Sequence, residues 1–132
     1  IAIKARSPKT QVHTVEPAGF DDTARSLKSG NREKNDPAAR SICDALQTES
    51  PGELPFRYLR KLMSEGLVVS DDDVRSAMRF AFRHLKIVVE PGGAVALAAV
   101  LSGKIPTAGR ITVIVLSGGN VDRKLFAEIQ RD

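Results

Sequence analysis

Apolar residues fall along this chain in two rhythms. Val74, Ala77, Met78, Ala81, Phe82 and Leu85 recur at helical spacing, so one face of a helix is buried there. Ser70-Asp71-Asp72-Asp73 just ahead reads as a capping-box start, which makes this the clearest helix in the chain. Leu54, Tyr58, Leu59 and Leu62 mark a second helical face over residues 53–64; Pro55 is tolerated in its first turn and Gly66 ends it. From Ala94 to Leu101 the chain is apolar nearly all round, between Glu90-Pro91 and Gly103, which predicts a helix buried on most sides. The other rhythm is that of strands. Residues 11–15 alternate, and Leu67 to Val69 form a short apolar run. Ile111 to Leu116 is an almost unbroken β-branched and aliphatic run, expected to be a strand buried on both faces. Shorter signals fill the gaps. Residues 1–6 predict a helical end stopped by Ser7-Pro8. Residues 23–28 predict a helix capped by Asp21 or Asp22 and ended at Gly30. Residues 32–38 read as irregular, 39–46 as a short strand or turn, and 122–130 as a last helix.

Helices alternating with strands predict an α/β fold, a parallel sheet flanked by helices. About three strands are visible, fewer than the ~5–6 of an average sheet. The opening residues read as the tail of a helix already under way, with no initiator methionine. The chain is therefore expected to be the C-terminal portion of something larger, with no regulatory domain after it. Its 132 residues bound a single domain. No apolar run is long enough to span a membrane, and no signal peptide is evident at the start. The lone Cys43 fits a reducing cytoplasm. The net charge of +4 is spread among acids, and the few aromatic residues do not interleave with basic ones, so nucleic-acid binding is not expected.

Candidate chemistry sits at the end of the long apolar run. Ser117-Gly118-Gly119-Asn120 follows it at the strand's carboxyl end, where open α/β sheets place ligands. Ser117 offers a hydroxyl there, or a turn cap. Glu90 opens the buried helix, either as an acid favoured by the helix dipole or as a pocket residue. Glu16, Asp22 and the carbonyl of Phe20 supply oxygens on a short loop, a set that suits a hard cation; the plainer reading is that Asp22 caps the next helix while Glu16 faces solvent. His13 and His84 lack metal-ligand spacing, and Cys43 has no histidine near it in sequence.

Three segments carry a resemblance: Leu116-Ser-Gly-Gly-Asn-Val-Asp122, Glu90-Pro-Gly-Gly-Ala94 before an alanine-rich helix, and Val15-Glu-Pro-Ala-Gly-Phe-Asp-Asp22. In this order they resemble the threonine/serine dehydratase and serine racemase family of fold type II pyridoxal phosphate enzymes. The resemblance implies that residues 1–132 are the C-terminal part of the large cofactor-binding domain, with the Schiff-base lysine segment and small domain outside the chain. Lys28, in Ser26-Leu27-Lys28, follows the Glu-Pro-x-x-x-Asp-Asp segment and is not that lysine. By the same resemblance Ser117 hydrogen-bonds the pyridine nitrogen of pyridoxal phosphate. Gly118 and Asn120 shape the wall beside the ring, and Glu90 lies near it. Glu16, Phe20 and Asp22 hold Mg²⁺ or Ca²⁺. Ala45 replaces the glycine of the family's Ala-Asp-Gly segment, near the substrate. The implied activity is dehydration and deamination of threonine or serine to a 2-oxo acid and ammonia, in a cytoplasmic homo-oligomer, with this chain inactive alone and completed by the missing N-terminal part. The alternatives are a non-catalytic cation-binding α/β module and a serine racemase; the Glu-Pro-x-x-x-Asp-Asp segment argues against a cysteine synthase-like relative.

Overall fold

The computed structural model describes residues 1–131. Helix α1 spans Ala2–Arg6, strand β1 Thr14–Pro17, α2 Asp22–Ser29 and α3 Glu53–Leu62. Strand β2 covers Gly66–Val69, α4 Asp71–Phe80, α5 Pro91–Leu101 and α6 Arg123–Arg131. Strands β1 and β2 pair in parallel, Thr14 opposite Gly66 and Pro17 opposite Val69. The first strand is thus displaced toward Glu16 from the predicted 11–15.

Helix α4 begins as its sequence promises. The Ser70 side chain accepts from the Asp73 N–H, and the Asp73 carboxylate accepts from the Ser70 N–H, a complete capping box. Val74, Ala77, Met78 and Ala81 are buried against α5, whose Ala94, Leu97, Ala98 and Ala99 answer them. Small side chains on both helices leave the two backbones close. After Phe80 the helix widens into a π turn over Ala81–Leu85 and stops at Lys86, whose φ is 60°. That widening rotates Phe82 and Leu85 out of the predicted buried stripe, and both are exposed. Ile129 of α6 completes the core.

Two further expectations change. On α3 the buried residue is Phe56, while Leu54 and Tyr58 face outward. The helix packs chiefly on α2, so one residue suffices to anchor it. The larger change concerns residues 111–116. They form no strand ladder among the described residues. Ile114 and Leu116 pack on the core, but Ile111, Val113 and Val115 are 99%, 86% and 70% exposed. The segment uses the two-residue period of a strand with only one face covered; no described strand lies beside it to take its other face or its backbone edges.

Candidate functional site

Several of the candidate residues gather around the start of α5. Glu90 precedes α5 and reaches the Ser117–Asn120 turn in two ways. Its N–H donates to the Gly118 carbonyl at 3.1 Å, and its Oε2 accepts from the Asn120 N–H at 3.0 Å. Glu90 is the residue that leads into α5, and its carboxylate also fixes the turn. Two glycines make this contact possible. A Cβ on Gly93 would land on the Ser117 carbonyl, and one on Gly118 would land on the Glu90 carboxylate. Gly118 also has φ 74°, a backbone region that glycine enters without steric cost. Ser117 is exposed at the rim of this clasp, and its hydroxyl makes no hydrogen bond among the described residues. Ala45 lies on a short 3₁₀ turn, Asp44–Leu46. Its Cβ is 3.4 Å from the Cβ that Gly92 would carry, so this turn rests on the first turn of α5 beside Glu90. The structure thus brings together Ser117, Gly118, Asn120, Glu90 and Ala45.

The loop after β1 departs from the plainer sequence reading, in which Asp22 caps the helix and Glu16 faces solvent. Glu16 is the cap: its Oε1 accepts from the Thr23 N–H at 3.0 Å and its Oε2 from the Ala24 N–H at 2.8 Å. Burial pushes its carboxyl above the ordinary value, against hydrogen bonds from Thr23 and Ala24 that lower it; the nearby Asp22 charge adds to the rise. Asp22 is buried and accepts from Asn35 Nδ2. Asn35, which the sequence did not single out, also donates to the Thr48 carbonyl at 2.8 Å and accepts from Arg25 at 2.6 Å. Phe20 is buried beside this network, its N–H bonded to the Pro17 carbonyl. Among the described residues no three His, Cys, Asp or Glu side chains stand together as a metal cluster.

The remaining candidates stay structural. Cys43 is fully buried, and burial pushes its thiol up to about 11, far from a reactive thiolate. Lys28 is exposed in the last turn of α2. His13 sits with Nδ1 3.8 Å from Glu65, and His84 stacks beside Phe80. A shallow hollow of ≈ 490 Å³ between α2 and β2, lined by Asp21, Arg25, Lys28 and Glu65, lies away from Ser117. Among the described residues no helix is long and apolar enough to cross a membrane.

Comparison with known proteins identifies the family. Residues 1–118 match the family described as Pyridoxal-phosphate dependent enzyme, and the chain belongs to that family. It is 35% identical over 132 residues to a serine racemase of Dictyostelium discoideum, covering 98% of this chain and 40% of that protein. It is 31% identical over 129 residues to an L-threonine ammonia-lyase of Thermotoga maritima, covering 98% of this chain and 32% of that protein. The solved T.th. threonine deaminase superposes with a TM-score of 0.84 at 41% identity, over 92% of this chain and 44% of that one. The fold is therefore that of the matching part of these enzymes, and the chain spans between 32% and 44% of their length.

Proposed function

We propose that these residues are the C-terminal part of the cofactor domain of a pyridoxal phosphate-dependent ammonia-lyase acting on threonine or serine. One observation supports this most: an exposed, unpartnered Ser117 hydroxyl at the rim of a clasp that Glu90 closes on Gly118 and Asn120. Glycine at positions 93 and 118 is required by the clasp itself, because a Cβ at either would meet the Ser117 carbonyl or the Glu90 carboxylate. Pyridoxal phosphate, when bound, supplies an electron sink for a substrate's α-carbon.

Within this reading Ser117 donates to or accepts from the pyridine nitrogen but cannot keep it protonated as a carboxylate would. This moderates the sink and favours departure of a β-hydroxyl. Glu90 does not transfer protons; it holds the Gly118–Asn120 wall at the ring's edge. Ala45 narrows the substrate side by one methyl compared with glycine. A lysine and a phosphate-binding loop come from polypeptide outside these residues. Glu16, the Phe20 carbonyl and Asp22 hold Mg²⁺ or Ca²⁺ in the same reading. Each Glu16 oxygen takes one N–H and retains a lone pair, and the Asp22 charge that raises the Glu16 carboxyl is one that a cation would relieve. The 35% identity with a serine racemase favours α-carbon racemisation as a second activity of the same site.

The test is reconstitution of the complete polypeptide with pyridoxal phosphate, followed by assay with L-threonine and L-serine. Release of 2-oxobutanoate or pyruvate with ammonia is expected. Cofactor uptake without either product would reject the ammonia-lyase reading. The 132-residue chain alone is expected to give no turnover.

A further inference from the structure

The turn that carries Ala45 is held from outside as well as by its own segment. Asp71, the first residue of α4, reaches back some thirty positions to clasp it. Its Oδ1 accepts from the Ser41 hydroxyl at 2.6 Å, and its Oδ2 accepts from the Ile42 N–H at 3.0 Å. The Ser41 oxygen in turn accepts from the Cys43 N–H at 3.1 Å, while Gln47 Nε2 donates to the Ser41 carbonyl at 2.7 Å. Every residue from 41 to 43 is thereby tied to one carboxylate, and the next turn sets Ala45 and Leu46 on Gly92. The capping box needs Ser70 and Asp73 but not Asp71, so helix initiation does not account for this side chain's placement. Cys43, fully buried next to the clasp, fixes the turn's depth.

We infer that Asp71 is a positioning residue: through Ser41 it sets the distance of the Ala45 turn from the Glu90 end of α5 and so governs the fit of the amino-acid substrate. The inference rests on the reading of Ser117 and Glu90 as the cofactor edge. Asp71→Asn leaves one oxygen for the Ile42 N–H but removes the charge and the acceptor for the Ser41 hydroxyl, and Ser41→Ala removes the bridge. Both changes release the same turn, so their effects do not add.

The experiment uses the complete polypeptide with pyridoxal phosphate and compares Asp71→Asn, Ser41→Ala, the double variant and Asp72→Asn. Loss of a charge-assisted clasp is expected to raise KM for the hydroxy amino acid about tenfold in each single variant, with kcat and cofactor affinity changed less than about twofold. The double variant is expected to match the single ones. Amide exchange over residues 41–46 rises in all three. Asp72→Asn, an exposed acid in the same helical turn, leaves KM and exchange alone. Should Asp71→Asn fail to fold, Ser41→Ala carries the comparison. Faster exchange with an unchanged KM, or an equal effect from Asp72→Asn, overturns the inference while the ammonia-lyase reading stands. A wild type with no turnover overturns that reading and this one together.

Discussion

At the scale of single residues, the site depends on absent atoms as much as on present ones. Gly93 has no side chain, and the Ser117 carbonyl occupies the space one would need. Backbone cannot move aside as a flexible side chain can. Gly93→Ala is therefore expected to destabilise the chain by about 1–3 kcal/mol, the usual cost of overpacking, measured by chemical denaturation. Glu16 yields a prediction in pH. Burial raises its carboxyl in the folded state, so folding takes up a proton there. Its contribution is most favourable at and below the ordinary carboxylate range and is lost as pH rises through the raised value. Wild-type stability minus that of Glu16→Gln should thus fall as pH rises above the ordinary carboxylate range, about 4; a flat difference would refute the assignment. Neither feature is legible in sequence. Glu16 caps a helix from a strand seven and eight residues earlier, and a glycine near a turn does not announce what fills the place of its missing side chain. Ser117 and Glu90 could be read as candidates, because one ends an apolar run and the other starts a helix.

At the scale of elements, local grammar is readable wherever an element satisfies itself. Helix α4 carries its own cap and stripe, and its start is where Ser70 puts it. Ser70→Ala should cost about 1 kcal/mol by thermal or urea unfolding. The Ser70 N–H and hydroxyl hold Asp73 below the ordinary carboxylate value. Its share of the cap is therefore present above that range and lost as pH falls through the lowered value, so the Ser70→Ala penalty should shrink in acid. Helix α5 is equally plain, since a segment apolar all round has to be enclosed. Where elements depend on each other, the sequence says less. The π turn after Phe80 shifts the stripe of α4, and α3 buries Phe56 rather than the Leu54–Tyr58 face. Both outcomes are set by which neighbours are present.

At the scale of the whole molecule, residues 111–116 are the informative failure. Their composition encodes a strand covered on both sides, yet within these residues only Ile114 and Leu116 find cover. The relatives are more than twice as long, and a longer polypeptide has the means to cover the other face. Val113→Lys separates the two situations. In the 132-residue chain, where Val113 is 86% exposed, it should change stability by less than about 0.5 kcal/mol. In a polypeptide as long as the relatives, with that face covered, an uncompensated buried charge should cost about 3–5 kcal/mol. Equal effects in both would mean that the segment is a surface strand throughout.

The central claim is that the Ser117 hydroxyl meets the ring nitrogen of the cofactor. The most direct measurement is the ¹⁵N chemical shift of that nitrogen, in labelled pyridoxal phosphate bound to the complete polypeptide. An unprotonated, hydrogen-bonded nitrogen whose signal moves in Ser117→Ala is predicted. A protonated nitrogen, or a signal indifferent to that substitution, would contradict the account.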